Sequence, residues 1–529
     1  MSSTRVENQL SAVACLALGV GLALTLLRVG AHATGDSGGY ARYAAALAGA
    51  GGEISALWPP LYPALLAAIG ALLPLDTLDA AALINGAAAA VGLGSAIALG
   101  RTAGLGPVGA PAAALALALT PAVHGVFLCA WSEGLAAAAL LLHLAAGAAA
   151  LRAPTRLGPW AWAALGAAAL SMTRYAGALA PVLLLVCALG ARRTTPTLIA
   201  AAAHLPLALW LLVQRLRTGH ATGARRPATL GLAENVGFLI DDLDAILEVA
   251  PAALPLVVAA LILGLRALLC APSDRRVLGF GALHVVGAAA MLLYATSTVA
   301  MDRINPRLSH PVVLAIWALV VLGAGAAARR TGEAGVRISA LGPIFGAALL
   351  WSALAGPAVG AARAAHLMRG AAPETVAAQG GWRAGPGPVA FAAAVDALAP
   401  LGVERWALSV ASEKQGAAGS WALLHRRPPS AAPLQITVRQ GGFRAEGWRG
   451  PLVLLTPSGR MDAAGIGAAL ATHAPAGAPG LLMLTPRAAR QTGLSPTLHL
   501  DRWSCVEGAP IAGLYAWRCA GSNTLVQQE

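Results

Sequence analysis

Charge is scarce in this sequence: Asp, Glu, Lys and Arg together make up 11% of 529 residues, and Lys414 is the single lysine. Aromatic residues reach 5%. Apolar residues take their place, at 57% of the chain with a mean hydropathy of +0.69, too high for a soluble protein of this length, so the chain needs a bilayer. Also missing are a Walker A motif, a dinucleotide-binding glycine pattern and a Ser-His-Asp signature, which argues against a nucleotide-driven pump. No fixed-period repeat and no pair of matching halves with broken helices is present, which weighs against many secondary transporter designs. The eleven histidines show no metal-ligand spacing. The net charge of +13 does not indicate nucleic acid, because the arginines are scattered between apolar segments instead of striping one face.

Two unlike parts are apparent. Residues 1–360 are the apolar part, with a net charge of +7, whereas the shorter remainder carries +6 at a much higher charge density, as a water-exposed domain does. Eleven runs can span a membrane core: Leu10–Val29, Ala80–Leu99, Pro107–Phe127, Ser132–Leu151, Trp160–Thr173, Ala176–Leu189, Pro196–Val213, Pro251–Cys270, Val277–Val299, Pro311–Ala328 and Ile338–Gly360. The first is longer than a secretory h-region and reads as a retained helix. The fold class expected is therefore an α-helical polytopic membrane protein of about eleven spans, followed by a small C-terminal α/β domain. The expected organisation is a membrane domain over 1–360 with a first external loop at 31–78, a linker at 361–385 and an extracytoplasmic domain at 386–529.

Arg101, Arg152 with Arg156, Arg192 with Arg193, Arg275 with Arg276, and Arg329, Arg330 and Arg337 fall in alternate connections, which should be cytoplasmic. The N-terminus is then cytoplasmic, and Trp58–Pro74 lies on the outer surface as a juxtamembrane helix. The external side collects Asp36, Glu133, Arg174, Arg215–Arg226 and Arg303–Arg307, and charged residues there call for a ligand. The Ala/Gly/Arg-rich usage suggests a high-GC bacterium, hence an inner-membrane location. Cys505 and Cys519 are the pair in the soluble part, at a spacing that suits a hairpin; they form either a disulfide in an oxidising compartment or two free thiols.

Five segments carry chemical potential. Gly35-Asp36-Ser37-Gly38-Gly39-Tyr40 follows the first helix, and Trp58-Pro59-Pro60-Leu61-Tyr62-Pro63 comes next; Trp131-Ser132-Glu133-Gly134 opens a helix, and Thr173-Arg174-Tyr175-Ala176-Gly177 marks a turn. Asp302-Arg303, Pro306, Arg307 and Pro311 lie near the outer end of a late helix. Alone, Asp36 reads as a helix cap, and Glu133 as a residue drawn to a helix N-terminus by the dipole or as the ion-pair partner of Arg174. Arg303 alone could simply snorkel, and His124 and His310 read as packing or hydrogen-bonding residues. The stretch Ile240–Glu248 is amphipathic at helical spacing.

As an ordered set on one membrane face, these motifs resemble the GT-C glycosyltransferases, the class of aminoarabinose transferases and protein mannosyltransferases, over Val6–Gly360. That resemblance implies a glycosyltransferase (hexosyl- or pentosyl-) that moves a sugar from a polyprenyl-phosphate donor to a lipid, glycan or protein acceptor. Asp36 is then the general base and Glu133 a second catalytic acid, while Arg174, Arg303 and Arg307 hold phosphate and Tyr40, Trp58, Tyr62 and Tyr175 bind substrate. Members often carry two adjacent acids in the first loop. Here Ser37 follows Asp36, so a divalent metal ion, an optional cofactor, would draw on Glu53 or Glu133. The alternatives are a lipid or polysaccharide transporter such as a flippase, which also needs arginines for phosphate, and a scaffold whose C-terminal domain binds envelope partners.

Overall fold

The computed structural model describes residues 3–29, 35–49, 54–73, 75, 77–118, 121–223, 227–228, 230–248, 272–299, 304 and 306–333. In the C-terminal part it describes eight strands between 407 and 521. Helices dominate the first part: α1 (Ser3–Val29), α2 (Gly35–Leu47), α3 (Leu61–Leu72), α4 (Thr77–Ala103), α5 (Gly106–Ala118), α6 (Pro121–Leu128) and α7 (Ser132–Arg152). They continue as α8 (Leu157–Thr173), a 3-10 turn (Tyr175–Ala178), α9 (Leu179–Gly190), α10 (Thr194–Ala202), α11 (Leu205–Thr218), α12 (Leu232–Glu248), α13 (Pro272–Thr298) and α14 (Pro306–Glu333).

Among the described residues, six segments are long and apolar enough to cross a membrane: Gln9–Leu27, Asp79–Ala103, Ser132–Arg152, Thr194–Thr218, Asp274–Thr298 and Arg307–Ala326. Exposed leucines such as Leu10, Leu16 and Leu18 on α1, and Leu209 and Leu216 on α11, are surfaces for lipid instead of water. Most of the expected runs that fall on described residues are helical, but Ala176–Leu189 opens in the 3-10 turn and Pro196–Val213 is divided between α10 and α11; Pro251–Cys270 and Ile338–Gly360 lie outside the described residues. Prolines account for the departures in detail. The single span expected at Pro107–Phe127 is two helices, the second opening at Pro121, a ring that lacks an N–H and disfavours helix in the residue before it. Likewise Pro206 sits at the start of α11, where the missing N–H costs nothing.

The chain divides into two compact units, Met1–Leu27 with Ser55–Tyr62 and Ala82–Arg369, and Arg28–Ile54 with Pro63–Ala81 and Gly370–Glu529. At the centre of the first is α7, buried along most of its length by Ala136, Ala137, Leu140, Leu141, Leu144 and Ala148. Lipid tails are as apolar as leucine, so helices here gain by close backbone approach through small residues. Gly166 of α8 shows how close: a Cβ there would stand 2.7 Å from the His143 nitrogen and 2.9 Å from the Ala139 oxygen. The buried His143 ring adds a polar tie, its Nδ1–H donating to the Ala163 carbonyl and so joining α7 to α8; His284 of α13 donates Nδ1–H to the Phe280 carbonyl of its own helix, and the two Nε2 atoms stand 2.9 Å apart. An ion pair, Arg152 to Asp274 at 3.0 Å, binds the end of α7 to the start of α13.

In the second unit the strands are β1 (Ala407–Val410), β2 (Gln435–Arg439), β3 (Gly442–Glu446), β4 (Leu452–Leu455), β5 (Gly480–Leu484), β6 (Thr497–Leu500), β7 (Trp503–Ile511) and β8 (Leu514–Gly521). They form one mixed sheet in the order β2-β3-β4-β1-β5-β8-β7-β6, with β4, β1 and β5 parallel and the flanks antiparallel. The β7–β8 register places Cys505 opposite Cys519, and directly opposed Cα atoms in antiparallel pairs stand about 4.5–5.5 Å apart, within disulfide range.

Gly166→Val is expected to force α7 and α8 apart and to cost about 1–3 kcal/mol, read as a lower unfolding midpoint in detergent. Gly158→Ala, a site on the same helix where an added Cβ meets nothing within 4 Å, should leave that midpoint unchanged.

Candidate functional site

The Trp131-Ser132-Glu133-Gly134 motif is folded by neighbours distant in sequence. Asn85 of α4 donates its side-chain N–H to the Cys129 carbonyl at 2.7 Å, and Trp131 N–H donates to the same carbonyl at 2.7 Å, which closes the turn before α7. Gly134 lets the end of α6 approach: a Cβ there would lie 3.0 Å from the Val126 oxygen. Glu133 thus enters the first turn of α7, where the helix dipole favours a carboxylate, and its side chain is completely buried.

The Thr173-Arg174-Tyr175-Ala176-Gly177 motif ends α8. Arg174 is extended, its N–H donating to the Leu170 carbonyl at 2.9 Å, and the 3-10 turn then folds back on α8 so tightly that a Cβ on Gly177 would stand 2.6 Å from the Leu170 oxygen. The glycine is therefore required by space, and the turn it permits aims Arg174 at α7. Arg307 comes from the first turn of α14.

These three side chains meet. Arg174 pairs through Nη1 with Oε1 of Glu133, and Arg307 reaches the same oxygen through Nε at 2.5 Å. Ser132 donates its hydroxyl to Oε2 at 3.4 Å, and the Arg307 guanidinium lies 4.6 Å over the Trp131 ring, a cation–π contact. Among the described residues, one buried acid is thus shared by two guanidinium groups. The acid has no exposed surface, whereas the Arg174 and Arg307 side chains keep 21% and 16% of theirs. Such a site is built to receive an anion, and the planar donor forks suit phosphate.

His310 completes the cluster through a proline. Pro311 breaks the usual hydrogen-bond ladder of α14, and the Arg307 carbonyl that its neighbouring backbone leaves open receives His310 Nδ1–H at 2.6 Å. The tautomer is fixed by that bond, so Nε2 is an acceptor, buried and without a hydrogen-bond partner among the described residues. Burial, and next the Glu133 carboxylate, push the neighbouring Cys129 thiol up, so this cysteine is no thiolate nucleophile.

The other expected site residues are placed as follows. Tyr175 donates its hydroxyl to the Ala56 carbonyl at 2.9 Å and accepts the Trp210 indole N–H at 3.1 Å. Trp58 is half-buried on the same Ser55–Tyr62 segment, and Tyr62 is fully buried. Asp36 lies in the first turn of α2, in the second unit, partly exposed; Tyr40 of the same helix is an interior ring with 2% exposure. Glu133, expected as a catalytic acid, has its carboxylate enclosed by two guanidinium groups, which suits holding arginines better than moving a proton. Arg303, Glu53, Arg225 and Arg226 lie outside the described residues. Among the described residues no three His, Cys, Asp or Glu side chains converge as metal ligands.

Glu133→Gln should leave two partly buried guanidinium groups facing each other. It is expected to destabilise the protein by roughly 2–3 kcal/mol, less than a fully buried pair because both arginines retain solvent. Thermal unfolding in detergent measures it, and a midpoint equal to wild type would show that the carboxylate does not hold the pair.

No family model matches the sequence. No curated protein matches it either. Solved structures do: ArnT from Cupriavidus metallidurans bound to undecaprenyl phosphate is 15% identical, with a TM-score of 0.53, over 96% of this chain and 97% of that one. The same protein in the apo state matches with a TM-score of 0.52 at 15% identity, over 96% of this chain and 98% of that one. At this identity the likeness is one of fold. The chain is thus a mostly helical, multi-pass membrane protein with an ArnT-like fold.

Proposed function

We propose that the protein is a membrane glycosyltransferase that takes a sugar from a polyprenyl-phosphate donor and passes it to an extracytoplasmic lipid, glycan or protein acceptor. The observation that carries this is the Glu133-Arg174-Arg307 cluster, which sets two partly exposed guanidinium groups side by side on one buried acid. The ArnT-like fold supports it, since one ArnT structure of that fold is described as bound to undecaprenyl phosphate. In this mechanism Arg174 and Arg307, joined by Arg303, hold the phosphate and stabilise its growing charge as it leaves. Glu133 positions the arginines.

Asp36 is the general base. The acceptor hydroxyl oxygen attacks the anomeric carbon, the bond from that carbon to the phosphate oxygen breaks, the electron pair leaves on the phosphate, and the hydroxyl proton passes to the Asp36 carboxylate. The anomeric configuration inverts. Residues 1–360 form the membrane domain of a bacterial inner-membrane protein with a cytoplasmic N-terminus, and 386–529 form an extracytoplasmic α/β domain in which Cys505 and Cys519 are oxidised to a disulfide.

The test is transfer from labelled undecaprenyl-phosphate sugars by the full chain in liposomes. Asp36→Asn is expected to reduce transfer by roughly a hundredfold or more, and Arg307→Ala to raise the donor KM. Full activity of Asp36→Asn removes Asp36 as base. Donor moved across the bilayer with no sugar transferred identifies a flippase instead.

A further inference from the structure

The Tyr175 hydroxyl is engaged on both sides, and its partners tie three segments that are remote in sequence. Trp210 Nε1–H of α11 donates to it at 3.1 Å, and it donates to the carbonyl of Ala56 at 2.9 Å. The chain runs in one direction, indole to hydroxyl to carbonyl, and such chains polarise their members and strengthen one another. Ala56 belongs to the irregular Ser55–Pro60 stretch that carries Trp58 and leads into α3.

A second fastening lies beside the first. Gly223, at φ +80°, packs on Leu57 so closely that a Cβ would stand 2.9 Å from Leu57 Cδ2, and Ser55 Oγ accepts the Leu57 N–H at 3.2 Å. Arg174 is the residue next to Tyr175, and its own carbonyl is bound by Gly177 N–H at 2.8 Å within the same turn. The position of Tyr175 and that of the Arg174 guanidinium are thus set by one short, hydrogen-bonded piece of chain.

We infer that Tyr175 is a positioning residue, a latch that holds the Ser55–Pro60 loop against the turn carrying Arg174 and so keeps the anion receptor in register. It is not a substrate ligand, because its hydroxyl donor is spent on Ala56 and one acceptor site on Trp210. The link to anion binding rests on the glycosyltransferase reading; the latch itself does not.

Hydrogen exchange of the full chain in detergent, followed by mass spectrometry, reads the latch without any ligand. Binding of undecaprenyl phosphate by microscale thermophoresis reads its consequence. In Tyr175→Phe and in Trp210→Phe, amides 55–58 should exchange about two- to tenfold faster, the worth of one hydrogen bond, and undecaprenyl phosphate should bind about two- to tenfold more weakly. The double variant should be no worse than the more affected single one, since both remove one chain. Tyr294→Phe, on an exposed ring of α13, serves as the control and should change neither quantity.

Unchanged exchange at 55–58 in Tyr175→Phe would overturn the latch, and faster exchange with undamaged binding would overturn its positioning role. Should the wild-type protein fail to bind undecaprenyl phosphate at all, the glycosyltransferase reading falls. Exchange at 55–58 then decides the latch alone.

Discussion

A carboxylate with no exposed surface, shared between two arginines, is the constraint around which this site is organised. Removing Glu133 from water costs several kcal/mol, and its attraction to a single guanidinium group offsets that cost only where the geometry is close. The protein supplies two, both on the same oxygen. The acid fixes both guanidinium groups in one place. The partial exposure of both arginine side chains leaves them able to meet a ligand.

Three helix ends must come together for this, and small residues and prolines make the approach possible. Gly134 and Gly177 stand where any Cβ would press on a backbone carbonyl, so each motif owes its glycine to space. On α14 the Pro311 ring interrupts the backbone ladder, and His310 caps the open carbonyl of Arg307 from within. The bundle behind the site is assembled from alanine and glycine faces, with the His143–His284 contact and the Arg152–Asp274 pair as its polar ties. Rigid packing beneath and fastened loops above are what a receptor for a multiply charged group requires.

Much of this was legible in the sequence. The apolar runs mark the helices, and the pairing of Glu133 with Arg174 is one of the two readings that the motifs allow. Arg307 as a full partner was not visible, because it depends on α14 entering beside α7, a packing relation with no local signature. The substrate role of Tyr175 comes from the family resemblance; its hydrogen bonds to Ala56 and Trp210, 119 and 35 positions away, have no local signature. His310 could have been found: a His-Pro pair after a potential anion ligand signals a freed carbonyl with a donor beside it. In the sheet, the apolar runs Leu452–Leu455 and Leu481–Leu484 mark two of the three strands of the parallel centre. Gln435–Arg439 and Gly442–Glu446, with their interleaved polar residues, do not stand out in this way.

The most direct measurement is an electron cryomicroscopy structure of the full chain in lipid nanodiscs with undecaprenyl phosphate. The account predicts the phosphate within hydrogen-bonding distance, about 3 Å, of both the Arg174 and Arg307 guanidinium groups, with Glu133 still between them. Phosphate density at the opposite membrane face, or an Arg174–Glu133–Arg307 cluster closed off from it, would contradict the account.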